Sequence, residues 1–227
     1  MEASEASTPY LALGEASVVA QKRALSRWVM LAGSLGVLFT RYCIATMLTS
    51  FFAEYCDNEH IAESMNGLIM SAYPIGVMLG SVFAAFFVTR FGTRLCVAVG
   101  MTLTAVFTLA LGLTPDALGS AKSPTTLAVC FFATYFLSGL TGAISETACI
   151  TLCGVRFPDK VGSVMAAVGT SCGVGCMAGP PLGGLLYGIK SLSDDWKFRL
   201  PFVVFSGLAM LLVLASFFIL PEASCIP

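Results

Sequence analysis

Long apolar blocks alternate along the chain with short clusters of charged and polar residues. A helix needs about 20 mostly apolar residues to cross a bilayer, and six blocks reach that length: 28–52, 65–88, 95–113, 127–155, 162–187 and 201–220. The pattern predicts an all-α membrane protein with six transmembrane helices. A tail (1–27) precedes the bundle (28–220), and a short segment (221–227) follows it. The fourth block is long enough to require tilt or extension beyond the membrane. Pro74 in the second block and Pro180-Pro181 in the fifth mark expected kinks.

The fifth block contains a stretch unsuited to a helix in water. Gly175, Gly179 and Gly183 recur every four residues, so on a helix they form one smooth strip that a second backbone can approach closely. Pro180 and Pro181 remove two amide donors from the same turn. In lipid such a helix survives, because the medium enforces internal hydrogen bonding and packed neighbours satisfy the freed carbonyls.

Composition reinforces this reading: 57% of the 227 residues are hydrophobic, 11% are charged, and the mean hydropathy is +0.87. The charges lie between apolar blocks and make no basic stripe, which argues against a nucleic-acid partner. Residues 1–27 are polar and carry Glu2, Glu5 and Glu15, unlike a cleaved signal peptide. Most of the nine cysteines sit inside apolar blocks. Cys149/Cys153 and Cys172/Cys176 are spaced one helical turn apart without a histidine, so no metal site is expected.

Lysine and arginine in the short connections set orientation. Lys22, Arg23, Arg27, Arg90, Arg94, Arg156 and Lys160 fall on one side, against Lys122, Lys190, Lys197 and Arg199 on the other. Both ends of the chain are therefore expected in the cytoplasm, in a plasma or organelle membrane. A shift of 95 residues lays 66–72 (NGLIMSA) over 161–167 (VGSVMAA) and Gly80 over Gly175. An odd number of crossings separates the two segments, so the units are inserted upside down relative to each other. That is an inverted repeat of three plus three helices.

Two motifs carry a family resemblance. Residues 179–184 (GPPLGG), in the fifth span, resemble the antiporter motif of the major facilitator superfamily, and more narrowly of its drug/proton antiporters and vesicular amine and polyamine transporters. Residues 88–94 (VTRFGTR), between the second and third spans, resemble that superfamily's cytoplasmic gating loop, with Arg90, Gly92 and Arg94 at signature positions. Thr89 stands where the signature has Asp, and Thr93 replaces a basic residue. The family's Arg near the start of the fourth span is replaced by the region of Tyr135 and Phe136. The resemblance implies a secondary transporter working by alternating access, a proton-coupled antiporter of a cationic amine or drug-like solute, without a cofactor. It also implies twelve helices in two halves, of which this chain matches the N-terminal one. The missing C-terminal half, or a second copy of this chain, is the expected partner. Of truncation and a true half-size protein, the expectation favours truncation.

Arg41 in the first span and Glu146 in the fourth are ionisable residues deep in apolar blocks. Each costs roughly 2.5–3.5 kcal/mol to place in lipid, so each should face a cavity or a partner. By helical rise they lie roughly 20 and 15 Å from the cytoplasmic ends, close enough to meet. Since the family's first and fourth helices line its cavity, Glu146 is the candidate group for proton and cationic solute, with Arg41 holding it between exchanges. A static ion pair is the competing reading. Tyr42, Tyr73, Tyr135 and Asn66 can hydrogen-bond a solute, with Tyr135 the chosen candidate, although such residues often serve as interfacial anchors. Met70, Met78, Met165 and Met177 read as packing, and His60 as a solvated loop residue. No histidine lies in a span and only one acid does, which removes serine and aspartyl enzyme mechanisms. The remaining alternative is a non-transporting half-size protein acting as an assembly or scaffold partner.

Overall fold

A computed structural model describes residues 8–119, 123–189 and 194–219, with side chains described from 27 to 119, 123 to 189 and 196 to 216. Helix α1 spans Thr8–Met47 and passes through a 3-10 turn, Leu48–Ser50, into the short α2, Phe52–Asn58. Then come α3 (Glu63–Phe91), α4 (Thr93–Leu118), α5 (Pro124–Arg156), α6 (Val161–Tyr187) and α7 (Asp194–Ile219). Six membrane-length apolar stretches result, Arg27–Ser50, Glu63–Phe91, Thr93–Leu118, Pro124–Arg156, Pro158–Tyr187 and Trp196–Ser216. They lie where the hydropathy pattern puts them, and the chain is an all-α, multi-pass membrane protein. The first helix begins well ahead of its apolar part, at Thr8. Residues 220–227, the expected start of a following loop, and the loop cations Lys122 and Lys190 lie outside the described residues.

The seams between helices follow the inverted repeat. Helix α1 packs along α6 as α5 packs along α3; α4 meets α5 as α7 meets α1; and α4 and α7 pack on each other. Exchanging α1 with α5, α3 with α6 and α4 with α7 reproduces every one of these pairings. The correspondence extends to single positions. Gly76 and Gly80 of α3 press on the carbonyls of Phe136 and Leu140. At the equivalent places on α6, Ser171 donates to the Leu35 carbonyl at 2.8 Å and Gly175 presses on the carbonyl of Phe39.

Without a hydrophobic difference between lipid and protein, small residues and interhelical hydrogen bonds hold such seams together. Between α4 and α5, Thr104 pairs with Thr141 and Thr108 with Ser138, each at 3.2 Å, and Gly100 lies against Ser145. Between α4 and α7, Ser206 donates to the Ala105 carbonyl at 3.0 Å and Gly112 lies under the Phe202 ring.

The two ends of the bundle are closed differently. At the end formed by α2, rings from Phe51, Phe52, Tyr55, Phe131, Phe198 and Tyr187 pack together, with centroids 4.0 Å apart for Tyr55–Phe198 and 5.0 Å for Phe51–Tyr187. An Arg199–Asp116 ion pair joins α7 to α4 at the same end. At the other end Arg27 donates to the Arg156 carbonyl at 2.5 Å, capping α5, while its guanidinium lies 4.8 Å over Phe157. Trp28 and Phe157 complete that contact at 5.7 Å.

Cys56, under the aromatic end, is almost fully buried, and burial, with Asp57 beside it, pushes its thiol up to about 11. Near pH 8 it is therefore both shielded and protonated. Maleimide labelling of the folded protein at that pH should leave Cys56 unmodified, and labelling should follow only after denaturation; mass spectrometry of the peptide containing it reads the outcome.

Candidate functional site

Arg41 and Glu146 are brought together across α1 and α5, with Arg41 Nη2 2.9 Å from Glu146 Oε2. The arginine is the better buried of the two: its side chain is 1% exposed, that of Glu146 18%. Three further features hold Arg41 in place. Its Nε donates to the Gly142 carbonyl at 2.9 Å, and its guanidinium lies 5.1 Å from the Tyr42 ring and 5.9 Å from the Tyr73 ring. Gly142 permits this approach, since a Cβ there would sit 3.0 Å from Arg41 Nε.

The second oxygen of Glu146 is also occupied. Tyr42 donates its hydroxyl to Oε1 at 2.5 Å, a short bond of the kind a charged acceptor makes. Tyr42 follows Arg41 on α1, so one turn of that helix supplies both groups that grip the carboxylate. The carboxylate is thus held by one cation and one hydroxyl, and is the more accessible member of the ion pair. Chemically, the site offers one carboxylate that is paired with Arg41 and Tyr42 and partly accessible.

Tyr135 is not placed on the carboxylate. Its hydroxyl donates to the Ala45 carbonyl at 2.8 Å, and its ring lies 5.0 Å from that of Tyr73, whose ring in turn faces Arg41. Tyr73 and Tyr135 are buried within the bundle and Tyr42 partly so, with the Tyr42 and Tyr73 rings facing Arg41. Beside them an apolar groove of about 640 Å³ runs along α1 and α6, lined by Leu35, Gly36, Phe39, Ala167, Thr170, Ser171 and Val174. It begins one helical turn from Tyr42.

The glycine-proline strip faces α1. A Cβ on Gly175, Gly179 or Gly183 would lie 2.7, 2.8 or 2.6 Å from the carbonyl oxygen of Phe39, Cys43 or Met47. Gly184 is looser, with Ser50 Oγ 3.6 Å from its position. Pro180 and Pro181, where a kink was expected, both lie inside α6. Helix α1 compensates for one of the amides they lack. The missing amide of Pro180 frees the Cys176 carbonyl, and the Thr46 hydroxyl lies 3.3 Å from it while also 2.9 Å from the Tyr42 carbonyl. Cys43 Sγ contacts the Gly175 carbonyl at 3.3 Å.

In the loop, Gly92 has φ 83° and serves as both the end of α3 and the start of α4, a backbone geometry that favours glycine. Arg90 is exposed and Arg94 half-buried. Thr89, at the signature's acidic position, turns its hydroxyl back to the Ala85 and Phe86 carbonyls at 3.1 and 2.9 Å. Among the described residues no group of three or more His, Cys, Asp or Glu is arranged to hold a metal ion. His60 is exposed in a left-handed turn, φ 57°.

Comparison with known proteins agrees with this architecture. The family model described as Major Facilitator Superfamily matches residues 28–224. The chain is 26% identical over 182 residues to a mouse (Mus musculus) protein named MFS-type transporter SLC18B1, covering 79% of this chain and 38% of that protein. The human (Homo sapiens) protein of the same name is 24% identical over 180 residues, covering 78% and 37%. Multidrug resistance protein 2 of Bacillus subtilis (strain 168) is 24% identical over 190 residues, covering 83% and 43%. The chain spans about two fifths of the length of the curated relatives it matches.

Proposed function

Because the chain belongs to the major facilitator superfamily of transporters, we propose that it supplies the N-terminal half of a secondary carrier that exchanges a small cationic solute for protons by alternating access. Glu146 is the exchange group. The observation that carries this reading is the unequal burial of the ion pair: Arg41 is sealed in and tethered to Gly142, while the side chain of Glu146 is 18% exposed. A pair serving only to pin α1 to α5 has no need of that asymmetry.

In this mechanism Arg41 covers the carboxylate when neither proton nor solute is bound. That limits the energy of an empty site in a low-dielectric surrounding. A proton or a solute cation then joins Arg41 on the carboxylate in turn, taking its other oxygen, and the apolar groove along α1 and α6 accommodates the uncharged body of the solute. The N-terminus and the Arg90–Arg94 loop face the cytoplasm. The apolar faces of α3 and α6, where Val82 is 71% and Met177 78% exposed, meet a C-terminal half, a second copy of this chain, or lipid. The names of the relatives, an MFS-type transporter and a multidrug resistance protein, agree with carriage of a small solute.

Glu146→Gln in a twelve-helix version of the carrier tests the assignment. The amide keeps one acceptor oxygen, which can face Arg41 while its NH2 donates to the Tyr42 hydroxyl, but it cannot take a proton. Proton-driven solute uptake into liposomes is expected to fall at least a hundredfold, with the protein still folded. Uptake at the unchanged rate removes Glu146 from the mechanism. Absence of any flux in the unsubstituted twelve-helix protein favours the scaffold reading.

A further inference from the structure

The two groups that cover Glu146 are not equally free to leave. Arg41 is 1% exposed, bonded through Nε to the Gly142 carbonyl and enclosed by two tyrosine rings, so it cannot swing away without stranding a buried charge. Tyr42 is only partly buried and holds Oε1 through a single hydroxyl. Its side chain also lies against α6, where a Cβ built on Gly175 would sit 3.0 Å from Tyr42 Cβ. Rotation of this one side chain uncovers Oε1 without moving Arg41.

We propose that Tyr42 is a displaceable cover on Glu146: its hydroxyl competes with the incoming cation for Oε1, and moves aside when the site is loaded. A cation approaching from the accessible side meets Oε1 only after the hydroxyl has left, whereas Oε2 stays with Arg41 throughout. The tyrosine thus sets the affinity of the site by opposing binding, the reverse of a residue that donates a hydrogen bond to the solute. The part that concerns the cation rests on the reading of Glu146 as the exchange group; the covering role itself does not.

Two measurements on the full chain in nanodiscs separate these claims. The first needs no solute. Dicyclohexylcarbodiimide modifies accessible carboxyl groups in apolar surroundings, and mass spectrometry of the Glu146 peptide gives its rate. Tyr42→Phe keeps the ring and its packing but removes the hydroxyl, so modification of Glu146 should be about tenfold faster than in the unsubstituted protein, as expected for loss of one hydrogen bond to a charged acceptor. An equal or slower rate, with unchanged thermal melting, overturns the covering role. The second measurement uses benzylammonium as probe, titrated for protection of Glu146 against the same reagent. Half-protection should require about tenfold less probe in Tyr42→Phe. Weaker protection in that variant makes Tyr42 a solute contact and overturns the proposal. Protection in neither protein, with the faster labelling of Tyr42→Phe retained, leaves Tyr42 as a cover and removes the cation reading of Glu146.

Discussion

Replacing Gly179 with leucine is expected to pry α6 from α1 and lower the melting temperature of the purified protein by many degrees, while membrane insertion proceeds normally. The cause is visible at the first added atom. A Cβ at this position would lie 2.1 Å from Thr46 Oγ1 and 2.8 Å from the Cys43 carbonyl, and only the first of these can rotate away. Overpacking of this kind costs about 1–3 kcal/mol and more where backbone must move; with three further leucine carbons to place, the upper end applies. The substitution also drives Thr46 from the Cys176 carbonyl, so the acceptor freed by Pro180 loses its compensating donor. Two glycines provide the control. Gly173, also on α6, and Gly207 on α7 have nothing within 4 Å of a built Cβ, so alanine there should be neutral or stabilise by up to about 1 kcal/mol through helix propensity. Melting followed by tryptophan fluorescence in detergent, with Gly173→Ala and Gly207→Ala alongside, measures both. Equal melting temperatures for Gly179→Leu and the controls would show that the strip is not a packing surface.

The second large effect concerns the ion pair and is asymmetric. Glu146→Leu leaves Arg41 buried, permanently charged and opposed only by the Gly142 carbonyl and two aromatic faces. Removing one partner of a buried pair costs about 3–5 kcal/mol. Arg41→Met leaves instead a carboxylate that is partly accessible, still bonded by Tyr42, and able to take up a proton. It should therefore destabilise distinctly less. The double variant Arg41→Met/Glu146→Leu removes both charges and should melt above Glu146→Leu alone, since well-packed apolar side chains replace a buried pair at little cost. Recovered stability with transport still absent would separate the pair's chemistry from its structural role. If Glu146→Leu and Arg41→Met melt together, the difference in burial has no energetic consequence.

Much of the fold was legible because the bilayer restricts the options. A chain that must satisfy its backbone without water forms helices, and block length sets the number of crossings. The repeat was legible in a short match between 66–72 and 161–167 because the same seam is built twice, from Gly76 and Gly80 on α3 and from Ser171 and Gly175 on α6. Depth counting placed Arg41 and Glu146 at meeting heights, and the rotation of α1 against α5 brings them to 2.9 Å. That rotation is a tertiary quantity. It turns Tyr42 onto Glu146 and Tyr135 onto the Ala45 carbonyl, where sequence position ranked the two the other way.

The amino-acid sequence by itself determined six crossings, their repeat and the positions of the two buried charges, because hydropathy and helical rise are properties of a single segment. It also determined that residues 175–183 present a bare strip. Only the tertiary structure decided that the strip lies on α1, that Thr46 supplies the hydroxyl near the carbonyl Pro180 frees, and that Arg41 is sealed while Glu146 stays reachable. Each of these depends on how two helices are turned about their axes when they pack. The energy that sets the turn comes from interlocking side chains and carbonyls on both partners, which neither segment carries alone.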